Sequence, residues 1–263
     1  MFKDIKQVMK DSVLYGIGNV AVKLVGFILI PLYTDAEYFS TADYGLMGLL
    51  EVTSQILIAV MGLSLYSGLI RWYWDAEYRD KQKTIFFTTL LFTILTSLCI
   101  GSVLWLNVGE LSALLVQQEG YSLGGELPYI LQLLILTSML GAVVEVPQNL
   151  LRLQRKPIYY SLTNIVRLFV TLVLTIYFTI SLHRGVSGVY EAQLVGIAIQ
   201  LLMVSPLVIK NSSCRVDRKC TIQLLAYSYP LVFPAIVGSL LTVFDRYIIN
   251  HFQGLDDVGF YSL

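Results

Sequence analysis

The sequence predicts an all-α integral membrane protein: a six-helix N-terminal lobe, then the first helix and the start of the second helix of a C-terminal lobe. Three observations predict it. Hydrophobic residues make up 56% of the 263 positions and charged ones 14%, where a soluble domain carries about 25% charged residues. The apolar residues come in blocks of about 20, long enough to cross a hydrocarbon core of about 30 Å as helices. Each block is continuously apolar, whereas membrane-spanning strands would alternate over about ten residues.

Taken in order, the blocks are expected as helices at Ser12–Tyr33, Tyr44–Ile70, Thr84–Leu106, Pro128–Leu150, Ile158–Leu182, Ser187–Ile209 and Ile222–Phe252, with an eighth beginning near Val258. The first carries Tyr15, Asn19 and Lys23 at steps of four, one polar stripe along one face. The second places Glu51 and Gln55 one turn apart, and the fourth carries Glu145 near its end. The fifth carries Asn164, Arg167, Thr171 and Thr175 at helical spacing; the seventh carries Pro234, Gly238, Thr242 and Arg246, with Asp245 on the flank. Pro230 and Pro234 are expected to free backbone carbonyls and bend that helix, as are Pro31 and Pro147 in theirs.

The connections assign an orientation. Of the 18 Lys and Arg, fourteen fall before the first helix and in the loops after the second, fourth and sixth. The alternate loops hold Arg184 alone, together with most of the loop carboxylates. Positive residues stay inside, so the N-terminus is expected in the cytoplasm. The longest outer loop, Asn107 to Leu127, is too short for a domain, which excludes a large extracytoplasmic catalytic region.

An internal echo divides the chain. Asp43-Tyr44-Gly45-Leu46 lines up with Asp257-Val258-Gly259-Phe260. Six helices return the chain to its starting side, so a repeat of this kind is parallel, related by an axis along the membrane normal. The expected boundaries are residues 1–220 for the first lobe and 221–263 for the opening of the second, where the sequence breaks off.

Six intramembrane charges require a reason: Lys23, Arg167, Arg246, Glu51, Glu145 and Asp245. Each costs about 2.5–3.5 kcal/mol at a helix centre, which offsets five to ten apolar residues. Two readings remain open at this point. The three cations face a wet central cavity and attract an anionic group such as a diphosphate, with Glu51, Glu145 and Asp245 as proton or cation carriers. Alternatively, cations and acids pair with each other and hold the helices in register. No phosphate-binding glycine loop, metal-ligand cluster or nucleophile–base set is present, and no cofactor is expected. A net charge of zero gives no argument for nucleic acid, and the three cysteines do not form a disulfide framework.

The stretches KDSVLYGIGNVAVKLVGFILIPLYT, ADYGLMGLLE, LLRLQRKPIYYSLTNIVRL and YPLVFPAIVGSLLTVFDRYIINHFQGLDDVGFYSL resemble bacterial polysaccharide transporters. These are the O-antigen flippases and their relatives in the multidrug/oligosaccharidyl-lipid/polysaccharide exporter superfamily. The resemblance implies two six-helix lobes around a central cavity in the bacterial inner membrane. It also implies movement of a polyprenyl-diphosphate-linked oligosaccharide to the outer leaflet, not enzymatic catalysis. The expected partners are the bilayer, that lipid-linked substrate and membrane proteins of polysaccharide assembly. The residues matching substrate-binding cations are Lys23, Arg167 and Arg246; Asn19, Glu51, Gln55, Glu145, Asn164 and Asp245 are the polar or coupling candidates. A drug/cation antiporter of the same superfamily and a non-transporting membrane scaffold are the alternatives.

Overall fold

The computed structural model describes residues 29–35, 37–115 and 125–262, all in helices and the short segments that join them. Asn19, Lys23 and most of the first expected helix lie outside the described residues. From there the chain forms α1 (Thr41–Gly62), α2 (Leu65–Trp72), a 3-10 turn (Ala76–Lys81), α3 (Gln82–Leu106) and α4 (Val108–Leu115). These are followed by α5 (Leu127–Leu153), α6 (Pro157–Ile176, closed by a π turn at Tyr177–Ser181), α7 (Gly185–Asn211), α8 (Arg218–Phe252) and α9 (Leu255–Ser262). Among the described residues, six helical stretches are long and apolar enough to span a membrane, running from Thr41–Gly62 to Arg218–Gly238.

The helices alternate in direction, so the basic loops meet at one end of the bundle. There Gln154 donates to the Tyr73 hydroxyl (3.1 Å) and to Asn211 (2.8 Å), joining three loops. The opposite, acidic end is tied by Tyr129 donating to Glu191 (2.8 Å) and by the Arg184–Glu191 ion pair (2.7 Å). Two apolar clusters fill the interior. One gathers Leu46, Leu49, Leu50, Ile130, Leu134 and Val258 in the acidic half; the other gathers Leu65, Leu69, Ile85, Phe86, Leu150 and Leu224 in the basic half.

In lipid, apolar side chains gain nothing by hiding from the solvent, so close packing selects small residues for helix interfaces. α3 follows that rule. Beyond the large buried side chains of its first turns, Ile85, Phe86 and Leu90, its buried face is Thr88, Thr89, Thr93, Ser97 and Gly101, while Leu95, Leu98, Val103 and Leu106 face outward. Two of the buried threonines return their hydroxyls to their own helix, Thr89 to the Ile85 carbonyl and Thr93 to the Thr89 carbonyl, both at 2.9 Å. At Gly101 a Cβ would strike the Met139 side chain.

The expected single helix Tyr44–Ile70 is two helices. Leu63 and Ser64 both take left-handed backbone angles (φ 44° and 49°) and break it inside the apolar run. Left-handed L-residues cost about 1–2 kcal/mol each, and a helix end within lipid exposes carbonyls that must be satisfied. Neighbours supply the compensation. Thr96 of α3 donates to the Met61 carbonyl (2.7 Å), and Ser64 donates to the Leu231 carbonyl of α8 (3.3 Å). Leu231 lies next to Pro230, whose carbonyl has no helical donor because Pro234 lacks an N–H. The helix runs through both prolines, and α5 runs through Pro147. The loop expected from Asn107 to Leu127 contains the eight-residue α4.

Candidate functional site

A cavity of about 500 Å³ opens between α1, α6, α7 and α8 in the acidic half of the bundle. It is built from polar side chains that helical spacing places on inward faces. Glu51 and Gln55 of α1, Asn164 and Arg167 of α6, Gln193 of α7 and Arg246 of α8 all line it. Tyr33, Tyr44 and Tyr190 belong to the same walls. Two guanidinium groups and one carboxylate are thus its charged lining among the described residues.

Arg167 is half-buried and fixed by neutral partners. One of its N–H groups donates to Gln200 Oε1 (3.2 Å); Gln200 in turn donates to Asn164 Oδ1 (3.1 Å), and Asn164 to the Tyr160 carbonyl (2.8 Å). Gln200 is 1% exposed, so this chain of amides is an interior strut between α6 and α7. A guanidinium has five N–H donors, and the strut uses one. Arg246 donates from Nη1 to the Gly48 carbonyl (3.2 Å), a partner that is likewise neutral.

The described ion pairs lie elsewhere. They are Arg71–Asp75, Lys81–Asp217 and Lys219–Glu77 at the basic end and Arg184–Glu191 at the acidic end. Among the described residues, Arg167, Arg246 and Glu51 therefore have no ion-pair partner, and mutual neutralisation does not account for the two arginines. Unpaired guanidiniums beside a cavity are donors in a fixed fork geometry that suits a carboxylate or phosphate.

The remaining candidates fall in different places. Glu145 lines two adjoining pockets, one of about 510 Å³ with Gln55, Ser64 and Pro234, the other of about 250 Å³ with Gln148, Asn149, Arg152 and Arg167. Shared walls at Gln55, Asn164 and Arg167 join these pockets to the main cavity in a polar track leading toward the basic end. Asp245 is outside the cavity lining. Its carboxylate accepts from the Arg246 backbone N–H (2.8 Å) and from the Tyr261 hydroxyl. Adjacent helical residues point about 100° apart, so only one of the Asp245-Arg246 pair faces the cavity. Sequence reasoning missed Gln193 and Gln200, whose spacing of seven is two turns of one face, and Gln148 of α5, whose Oε1 is buried without a partner among the described residues.

Comparison with known proteins agrees with this architecture. The model of the polysaccharide biosynthesis protein family matches residues 8–263. A MOP superfamily transporter from Pyrococcus furiosus superposes with a TM-score of 0.70 at 17% identity, covering 94% of this chain and 55% of that one. A MATE protein in a straight conformation gives 0.71 at 18%, covering 94% and 55%. An outward-facing multidrug resistance MATE family transporter of the same superfamily gives 0.68 at 16%, covering 98% and 58%. At these identities the likeness is one of fold, and the chain spans little more than half the length of each. A search of curated proteins finds no match. The helices, their polar interior and a family match over nearly the whole sequence converge: the chain belongs to the polysaccharide biosynthesis protein family.

Proposed function

We propose that the chain forms the first lobe (residues 1–220) and the opening of the second (221–263) of a flippase for polyprenyl-diphosphate-linked oligosaccharide in the bacterial inner membrane. The basic end faces the cytoplasm, as the positive-inside rule requires. The observation that carries the reading is that Arg167 and Arg246 line one intramembrane cavity without an ion-pair partner among the described residues. Held by neutral partners, they keep donors for a diphosphate, and the amide strut positions one of them without neutralising it. Lys23 acts with them as a third cation. Glu51, Gln55 and Asn164 of the lining, Glu145 beyond it and Asn19 of the first expected helix serve the sugar or the coupling ion; Asp245 instead orients the Arg246 backbone.

Drug/cation antiport is the second reading, favoured by the MATE neighbours. Such a cavity needs an excess of acids, and the described lining has one carboxylate against two guanidiniums. Mass spectrometry of the chain purified from its native membranes separates the two. A bound polyprenyl-diphosphate oligosaccharide, lost from Arg167→Gln, is the expected result. An unchanged lipid profile in that variant contradicts the flippase reading.

A further inference from the structure

A further cavity lies at the basic end, apart from the one that holds Arg167 and Arg246. It measures about 700 Å³ and sits between the end of α2 and the loop joining α5 to α6. Tyr73, Trp74, Leu153, Gln154, Arg155 and Lys156 line it. Among the described residues, neither of its cations has an ion-pair partner and its lining holds no carboxylate. Asp75, next to Trp74 in sequence, lies 3.9 Å from Arg71 instead.

The loop turns on Arg155. The Lys156 N–H donates to the Leu151 carbonyl (2.9 Å) and the Arg155 N–H to the Arg152 carbonyl (3.0 Å), the pair of bonds that closes a helix on a left-handed residue. Glycine is the usual residue there, since it takes that conformation without steric cost. Here arginine takes it, at φ 51°. Strain kept at a cation points to a role for the charge. Lys156 is held as well. Its Nζ donates to Gln154 Oε1 (2.7 Å), while the Gln154 amide nitrogen is the group that reaches Tyr73 and Asn211. Of three ammonium donors, that bond uses one.

The surroundings belong to a bilayer surface. Trp74 is 65% exposed, with the buried Tyr73 ring against it at 5.1 Å between centroids. An exposed indole beside cations at a helix end suits the headgroup level of a membrane. Two residues past Lys156 an apolar stripe begins on α6, where Ile158, Leu162, Ile165 and Phe169 are exposed at the spacing of one helical face. Cations, indole and apolar stripe follow the order of a phosphate, a glycerol backbone and an acyl chain. A zwitterionic headgroup fits less well, because its ammonium meets no carboxylate. A lipid bearing an oligosaccharide fits less well too, because the lining beyond the two cations offers few groups for sugar hydroxyls.

We propose that this cavity is a binding site for the headgroup of an anionic phospholipid in the leaflet at the basic end. Arg155 and Lys156 hold the phosphate by charge-assisted hydrogen bonds, Trp74 lies against the glycerol backbone, and an acyl chain runs along α6. Through Gln154 the bound lipid braces the junction of three loops, whatever the central cavity carries.

The test uses the full chain with Trp74 as its one tryptophan (Trp72→Phe, Trp105→Phe), reconstituted in phosphatidylcholine vesicles. Brominated phosphatidylglycerol is expected to quench Trp74 at a mole fraction about tenfold lower than brominated phosphatidylcholine requires. Equal quenching by the two lipids overturns the site. Lys156→Gln and Arg155→Gly are expected to lose the preference. Glycine at 155 suits the left-handed backbone, so that variant is expected to unfold no earlier than the parent in detergent, which separates lost binding from lost structure. A preference that survives both substitutions overturns the site. Arg79→Gln, at the same end and outside the lining, is expected to keep the preference; a loss equal to that of Arg155→Gly shows general surface attraction and also overturns it. Inorganic phosphate, against chloride at the same ionic strength, is expected to change nothing. Loss of the preference in phosphate, or stronger displacement by polyprenyl diphosphate than by unlabelled phosphatidylglycerol, assigns the cavity to another anion and overturns the phospholipid.

Discussion

The hairpin of α8 and α9 is fastened to the bundle at both ends, by opposite means. At the acidic end, Gly45 and Gly259 bring backbone against backbone, and the fit depends on atoms that are absent. At the basic end, the fastening is ionic and exposed. Lys81 pairs with Asp217 at 2.5 Å and Lys219 with Glu77 at 2.6 Å, while Tyr78 donates to Gln223. A steric fastening gives way all at once when a side chain is inserted and ignores salt. An ionic one weakens gradually as salt screens it. One helical hairpin thus has one end sensitive to shape and the other sensitive to the solution.

The sharpest way to break that contrast is substitution where these glycines meet. Gly259→Val is expected to lower stability by about 3 kcal/mol, the upper part of the usual overpacking range, because the obstructing atoms are backbone and cannot rotate away. Thermal unfolding in detergent measures it, and the loss is expected to be the same at low and high salt. Between the two ends stands the left-handed break at Leu63-Ser64. Ser64→Ala removes the bond to the Leu231 carbonyl and is expected to cost about 1 kcal/mol, seen as a shift in the same unfolding curve.

The basic-end clasp is expected to show the smallest effect. Asp217→Asn, which keeps an oxygen for the Lys219 and Cys220 N–H groups at the start of α8, shifts the unfolding midpoint slightly at low salt and not at all at high salt; Lys81→Gln is expected to give the same salt-dependent shift. Its pH dependence has a definite sign. The Lys81 ammonium, and then the Lys219 and Cys220 backbone N–H groups, hold the Asp217 carboxyl below the usual carboxylate range. The contribution is full above the unfolded-state value and is lost as pH falls through the lower folded value. A shift that stayed constant, or grew, as the pH fell through that range contradicts the pairing.

The spans were legible because twenty consecutive apolar residues leave a helix few alternatives in lipid. The break at Leu63 was not: its causes are Thr96 and Ser64 meeting carbonyls on other helices, and no local sequence signal encodes a partner that distant. At the cavity, charges announced themselves through their insertion cost, so Arg167 and Arg246 stood out. Gln193 and Gln200 did not, since neutral amides carry no such penalty, although Gln200 builds the strut that holds Arg167. Asp245 and Arg246 looked equivalent as neighbours in sequence, and helix rotation alone decides which of them meets the cavity. The glycine echo was visible as a repeat, but its self-pairing was a matter of three-dimensional placement.

The central claim is that two arginines held by neutral partners make an anion site within the membrane. Its most direct test is the affinity of the detergent-purified chain for polyprenyl diphosphate, compared with Arg167→Gln, Arg246→Gln and the Arg184→Gln control outside the cavity. Each cavity substitution removes charge-assisted hydrogen bonds worth about 1.5–3 kcal/mol, so a loss of about 10-fold to 100-fold is expected for each, with the control unchanged. Equal affinity in the wild-type protein and both cavity variants would contradict the account.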